Sequence, residues 1–317
     1  MDSVLSFNPH LTLGALQIGV LFSYALFGVT TTQTYMYYSR FPNDSSRLKA
    51  LVAFIWVCEV AHALCIGHTL YIYTISDYVH PERLGGAVPK SLATATFFSG
   101  IIGASVQAFF SFRIYAFSNK LSISLFLWAM AFFRVVGCTV LFVTALSMTL
   151  LASWEAQWTW LLATIWAGSS ANDLTITATL VLLLYKQRTH VVHTRTAALV
   201  DKLITWTIET GMLNSVLGIA TLACFFTMEN FIWLAMFSVT ARLFANTLLA
   251  SLNSRTKLRA MDQVTVTLPS FVSAIERTGT MTKATDITYE ADLNSAPNNT
   301  AAREEVQEKD GREEDSV

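Results

Sequence analysis

The sequence predicts an all-α membrane protein: a seven-transmembrane helix bundle with its N-terminus outside, its C-terminus cytosolic and a disordered C-terminal tail. Three observations predict it. First, 53% of the 317 residues are hydrophobic and only 14% are charged, with a mean hydropathy of +0.46. Soluble domains carry nearer a quarter charged residues. Second, the apolar residues fall into seven long blocks, each long enough at 1.5 Å per residue to cross a hydrocarbon core of about 30 Å. Third, lysine and arginine collect in alternate connections between those blocks.

The blocks run Leu11–Tyr38, Leu48–Ile75, Leu92–Phe117, Leu121–Met148, Trp158–Tyr185, Leu203–Met228 and Phe231–Leu252. In lipid every backbone polar group must be satisfied internally, so the blocks are expected to be helices. The first block follows a start, MDSVLSFNPH, that has no basic region, and it reads as a signal anchor. Tyr35, Tyr37 and Tyr38 close that block, and Trp154, Trp158 and Trp160 open the fifth, as expected of amphipathic rings at headgroup level.

Orientation follows from the connections. Arg40, Arg47 and Lys49 follow the first block, and Arg113 and Lys120 close the third. Lys186, Arg188, Arg195 and Lys202 follow the fifth, and Arg255, Lys257 and Arg259 follow the seventh. The opposite segments hold only Arg83 and Lys90. Basic loops face the cytosol, so the N-terminus is expected outside. The chain then divides into a short extracytosolic N-terminus (1–10), a helical domain (11–255) and an acidic cytosolic tail (256–317). From about Ala260 onward the tail carries twelve acidic residues against five basic ones, a composition that buries too little apolar surface to order itself.

The sequon Asn43-Asp44-Ser45 falls in the first cytosolic loop and Asn298-Asn299-Thr300 in the tail, so both are read as chance matches. Cys58, Cys65, Cys138 and Cys224 all lie inside apolar blocks, which argues against a disulfide framework or a CxxC metal pattern. Net charge is −1, and nothing points to nucleic acid.

Five charged residues lie well inside the blocks: Glu59, Arg134, Asp173, Glu209 and Arg242. Polar neighbours are His62, Gln107, Asn172, Asn214 and Asn246. Charges inside a membrane face the bundle interior, pair with one another and mark functional sites. Glu59 stands ten residues past Lys49, and Arg242 thirteen before Arg255, which places both about 15–20 Å from the cytosolic basic residues. Glu59–Arg242 is therefore the expected ion pair. Asp173 sits at similar depth, and Glu209 nearer the cytosol. Arg242 and Asn246 share a helix face at i, i+4. The set reads either as a polar cavity for a ligand, ion or proton, or as an ion-pair network fixing helix order.

Several chemistries are excluded by residue type. A retinal protein needs a Schiff-base lysine in the seventh helix, and the block has none before Lys257. A membrane metal hydrolase needs converging ligands. Glu59, His62 and His68 lie on one block, and no other block supplies a histidine. No enzyme activity, cofactor or metal is expected. Against a rhodopsin-like receptor, all six prolines lie outside the blocks, so proline-kinked switch helices are absent. A three-plus-one-plus-three transporter would show resemblance between the first and last three helices. Trp56-x-x-Glu59 in the second block and Trp206-x-x-Glu209 in the sixth fit that pairing.

Several stretches together carry a family resemblance. They include GALQIGVLFSYALFGVTTTQTYMYY, WVCEVAHALCIGHTLY, QAFFSFRIYAFS, ANDLTITATLVLLLYKQR, DKLITWTIETGMLNSV and RLFANTLLASLNSR. The chain from about Gly14 to Arg255 resembles an uncharacterised family of seven-helix membrane proteins from mushroom-forming fungi, domain of unknown function 6534. The resemblance implies an acid at Glu59 before His62, an acid at Asp173, a base at Arg242 and a closing pattern at Asn246 and Asn253-Ser254-Arg255. Glu209 departs from it, standing in TIETG where the family tends to TINTG. The family carries no established activity.

The expected function is a receptor-like sensor with a midplane polar site. The alternatives are a small-solute or proton-coupled transporter and a structural protein with buried ion pairs only. The expected partners are the lipid bilayer, a small ligand or ion, and a cytosolic partner at the basic loops and tail.

Overall fold

A computed structural model describes residues 10–77, 86, 88–148, 151–189, 194–228 and 230–255, without the side chains of 151, 152, 155 and 194–199. The tail expected over 256–317, its sequon and basic residues, the first nine residues, and His80, Arg83, His190 and His193 lie outside the described residues.

Seven helices are long and apolar enough to cross a membrane, and there is no strand among the described residues. They are α1 (His10–Arg40), α2 (Ser46–Ser76), α3 (Lys90–Ser118), α4 (Leu121–Leu146), α5 (Leu151–Thr189), α6 (Thr194–Thr227) and α7 (Ile232–Arg255). The first turn of α1 and the last of α2 are π-helical. This is an integral, multi-pass membrane protein. Large apolar side chains such as Leu21, Phe22, Leu64, Phe132 and Leu182 point outward from the bundle, where hydrocarbon rather than water accommodates them.

The helix ends follow local chemistry. Pro89 precedes α3 and its carbonyl accepts from Leu92 N–H at 2.8 Å, so the missing proline N–H costs nothing there. Asn119 closes α3 in the left-handed region (φ 53°), with its N–H on Tyr115 O at 2.9 Å. That turn lets α4 begin at Leu121. Within the spans, threonine hydroxyls bond back one turn, as in Thr30 to Leu26 O at 3.0 Å and Thr34 to Thr30 O at 2.9 Å. Those threonine hydroxyls are thereby satisfied in an apolar setting.

α5 and α6 begin at Leu151 and Thr194, well before the apolar blocks that start at Trp158 and Leu203. Hydropathy reports the membrane span, whereas a helix satisfies its own backbone and continues into the polar zone. Asp201, on the α6 extension, pairs with Arg188 in the last turn of α5 at 2.5 Å.

From α1 to α6 consecutive helices pack in chain order, and α3 also packs on α5. One core cluster joins α1, α2, α3 and α7 near the basic ends, through residues such as Tyr37, Ile55, Ile102 and Leu248. A second joins the same helices at the opposite end through Leu16, Ile66, Ala95 and Leu234. Gly19 makes the α1–α7 contact close: a Cβ there would come within 2.6 Å of Ala235 Cα. Small residues at such crossings let helix backbones approach in lipid.

The LNSR end of α7 is fastened to the end of α1. Asn253 Nδ2 donates to Gln33 O at 2.8 Å. Arg255 pairs with Asp44 at 2.6 Å and lies 4.3 Å from the Phe41 ring centroid. Tyr37 O–H donates to the same Asp44 carboxylate at 3.0 Å.

Candidate functional site

The structure divides the expected five-charge set into three places. The first is a polar knot between α1, α2 and α7. Glu59 and Arg242 form the expected ion pair, the Arg242 Nη1 donating to Glu59 Oε2 and, at 2.8 Å, to Glu59 O. Arg242 Nε donates to Ser23 Oγ at 3.1 Å, and Ser23 O–H donates to Ser238 O at 2.8 Å. The Phe27 ring lies 5.1 Å from the guanidinium. Both charged side chains are wholly buried. Asn246 adds a turn to the knot, its Nδ2 donating to Leu26 O at 3.1 Å and Arg242 O at 2.9 Å. His62 is also fully buried, with neither ring nitrogen hydrogen-bonded and Phe237 at a centroid distance of 6.3 Å.

The second place joins α3, α4 and α5. Arg134 Nη1 donates to Ser169 Oγ at 2.5 Å. Gln107 Nε2 donates to Ser169 Oγ at 3.2 Å and to Asp173 Oδ1 at 2.8 Å. Arg134 and Asp173 are thus connected through two neutral side chains rather than in direct contact. The guanidinium lies 4.6 Å from the Phe244 ring centroid. Its Nε is buried and makes no hydrogen bond. Gly103 gives it room, because a Cβ at that position would collide with the guanidinium.

The third place holds Glu209 alone of the five. It is exposed, on the wall of an open groove of about 790 Å³ between α1, α3, α6 and α7, with Arg40, Arg113 and Trp206. This corrects the expectation that Glu209 faces the bundle interior with the other four charges. Depth along a helix follows from residue counting, but the direction in which a side chain faces does not. The expected equivalence of Trp56-x-x-Glu59 and Trp206-x-x-Glu209 weakens with it, since Glu59 is fully buried and Glu209 exposed.

A cavity of about 90 Å³ rises from the second network. Its floor is Arg134, Ser169, Asp173, Asn214 and Phe244. Its upper wall includes Tyr73, Val88, Trp154 and Phe231, all beside helix ends remote from the basic loops. Between them the wall is mainly apolar and aromatic, with Leu162, Trp166, Trp233 and Phe237. A few convergent polar groups in an apolar concavity are the general form of a small-molecule site. Arg134 and Asp173 are each 7% exposed. Asn214 Oδ1 is buried without a donor. Asn172 is buried with both amide atoms unpartnered, and it lies off the cavity wall.

A smaller cavity of about 30 Å³ shares Asp173, Asn214 and Phe244 with the first. It shares Phe110, Thr207 and Thr210 with the open groove. The three spaces therefore follow one another through the bundle, with Asp173 at the first junction.

Of the ten candidate residues, Arg134, Asp173 and Asn214 are brought to one cavity, with Gln107 hydrogen-bonded to Asp173. Glu59, Arg242 and Asn246 form the knot, with His62 one turn from Glu59 behind Phe237. Sequence reasoning missed Ser169, the side chain bridging Arg134 to Gln107. A serine in an apolar block carries no charge signal, and only its place one turn before Asp173 hinted at a shared face.

No curated protein and no solved structure matches the chain. The stretch from the cavity floor on α5 through α6 to the end of α7 does have a match in a family model, at residues 169–257. The matching model is that of a family of unknown function, DUF6534, to which this stretch of the chain is similar.

Proposed function

We propose that the protein is a receptor-like sensor that binds a small ligand in the α3–α7 cavity, with its N-terminus outside and its basic loops in the cytosol. The observation that supports this most is the cavity itself, apolar in its walls and closed below by Arg134, Asp173 and Asn214. Bound ligand would bear on α5, α6 and α7 at once. Those helices lead to the basic end, where Arg113 Nη1 of α3 donates to Ser251 Oγ of α7 at 3.1 Å. A change in the α3–α7 spacing would be read there by a cytosolic partner. The Glu59–Arg242 knot is the fixed part of this scheme, holding α1, α2 and α7 together while the other side responds.

The test is a ligand screen on the full chain in nanodiscs, read by thermal stabilisation and by a fluorophore on Ser251→Cys. Ligands that stabilise the protein should change the fluorophore signal, and Asp173→Asn should weaken both responses. Stabilisation without any change at Ser251 would count against a sensor.

A carrier is the second reading, favoured by the small cavity that lies between the upper cavity and the groove. In proteoliposomes it requires solute or proton flux that Asp173→Asn stops. A sensor shows binding with no flux.

A further inference from the structure

The floor of the cavity carries one cation and one carboxylate, and neither is saturated. Of the five donors a guanidinium offers, Arg134 uses one, on Ser169 Oγ. Its Nε is buried without an acceptor, and the group below it is the face of Phe244, which accepts no conventional hydrogen bond. Asp173 accepts one hydrogen bond, at Oδ1 from Gln107, and its Oδ2 accepts none among the described residues. Asn214 Oδ1 also has no donor. Both charged side chains are more than nine-tenths buried and line the same cavity.

Buried charges with unfilled hydrogen-bonding capacity are costly, and a ligand that fills that capacity recovers the difference. A simple anion would satisfy Arg134 but meet Asp173 as a like charge. A simple cation would do the reverse. A molecule with an acidic and an ammonium group on neighbouring atoms satisfies both and adds no net charge to a low-dielectric site. The walls above the floor are apolar, with Leu162, Trp166 and Phe237. They suit an apolar body and leave its polar end at the floor. The cavity of about 90 Å³ is smaller than the ~150 Å³ of an engineered cavity that holds benzene, so the body must be compact.

Resting on the sensor reading of this cavity, we infer that its ligand class is the zwitterionic apolar α-amino acids. The carboxylate sits on Arg134 and the ammonium on Asp173 Oδ2 and Asn214 Oδ1.

The test uses alanine and two analogues on the full chain in nanodiscs, with thermal stabilisation and isothermal calorimetry as readouts. Alaninamide lacks the carboxylate, and propionate lacks the ammonium. Alanine is expected to bind at least tenfold more tightly than each analogue. The variants should move this preference in opposite ways. Arg134→Gln should bind alanine and alaninamide alike, and Asp173→Asn should bind alanine and propionate alike. Arg134→Lys should keep the preference for a carboxylate, which separates loss of charge from loss of folding. Propionate binding as tightly as alanine would overturn the inference, as would alanine binding unchanged in Arg134→Gln. Alanine binding with the expected variant pattern but without any Ser251 response would leave the ligand class standing and remove the sensor. An uncharged ligand that binds and drives the Ser251 response would do the opposite.

Discussion

Arg242 on α7 and Glu59 on α2 form a wholly buried ion pair, and the same guanidinium also bonds the Glu59 carbonyl and the Ser23 hydroxyl of α1. One side chain therefore ties three helices. Removing either partner leaves an uncompensated charge inside the bundle, at a cost of about 3–5 kcal/mol. Glu59→Gln and Arg242→Gln should each lower stability by that order in detergent unfolding. Glu59→Leu combined with Arg242→Met should recover most of the loss, since neither charge then remains. Additive losses in the double variant would show that the pair is not the unit.

Asp173 and Glu209 make a direct comparison of burial. Both are carboxylates in apolar spans, yet one is buried among Gln107, Arg134 and Asn214 and the other is exposed on the groove. Glu209→Gln should change stability by no more than about 0.5 kcal/mol, as for most exposed positions. Asp173→Asn should change ligand response while leaving the fold intact, because an amide oxygen can still accept from Gln107. The two are compared by unfolding and by ligand titration of the same preparations.

Gly103 and Gly19 should respond differently to alanine. The Gly103 methyl would meet the movable end of Arg134, whereas the Gly19 methyl would meet the backbone of Ala235. Gly103→Ala is expected to weaken ligand binding with a small effect on stability. Gly19→Ala should cost about 1–3 kcal/mol, the usual range for overpacking, because α1 and α7 must separate. Unfolding curves and ligand titrations together distinguish the two.

The Arg255–Asp44 latch is partly exposed, with side-chain accessibilities of 32% and 18%. Pairs near the surface contribute about 1 kcal/mol or less. Asp44→Asn should fall in that range, and Arg255→Ala should cost more because it also removes the contact with Phe41. Asp44 is the middle residue of the sequon at Asn43. The proposed cytosolic placement of that loop predicts mobility on a gel unchanged by deglycosidase, and a glycan on Asn43 would reverse the orientation.

The fold was legible because lipid imposes it. Seven apolar blocks of the right length become seven helices, and only the starts of α5 and α6 moved, where helix continues past the apolar span. Glu59–Arg242 was legible from depth alone, since counting from Lys49 and Arg255 set both residues at one level. Rotation about each axis was not legible. α6 carries polar residues on more than one side, so its sequence did not say that Glu209 faces away from the core while Asn214 faces into it. The Arg134–Asp173 network was hidden for another reason: its links, Ser169 and Gln107, are neutral and come from two different helices. The closing LNSR was visible as a motif, and its role in fastening α7 to α1 emerged only from the contacts of Asn253 and Arg255.

The most direct test of the ligand cavity is labelling of single cysteines by a membrane-impermeant thiol reagent applied outside sealed cells. In a background with Cys58, Cys65, Cys138 and Cys224 replaced by serine, Thr96→Cys and Ser170→Cys report on the cavity wall. Thr30→Cys, on the fully buried face of α1, is the control. Both cavity positions are expected to label, with protection by bound ligand, and Thr30→Cys to stay unlabelled. Failure of Ser170→Cys to label, or labelling of Thr30→Cys at the same rate, would contradict the proposed ligand site, reached from the proposed outer face and floored by Arg134 and Asp173.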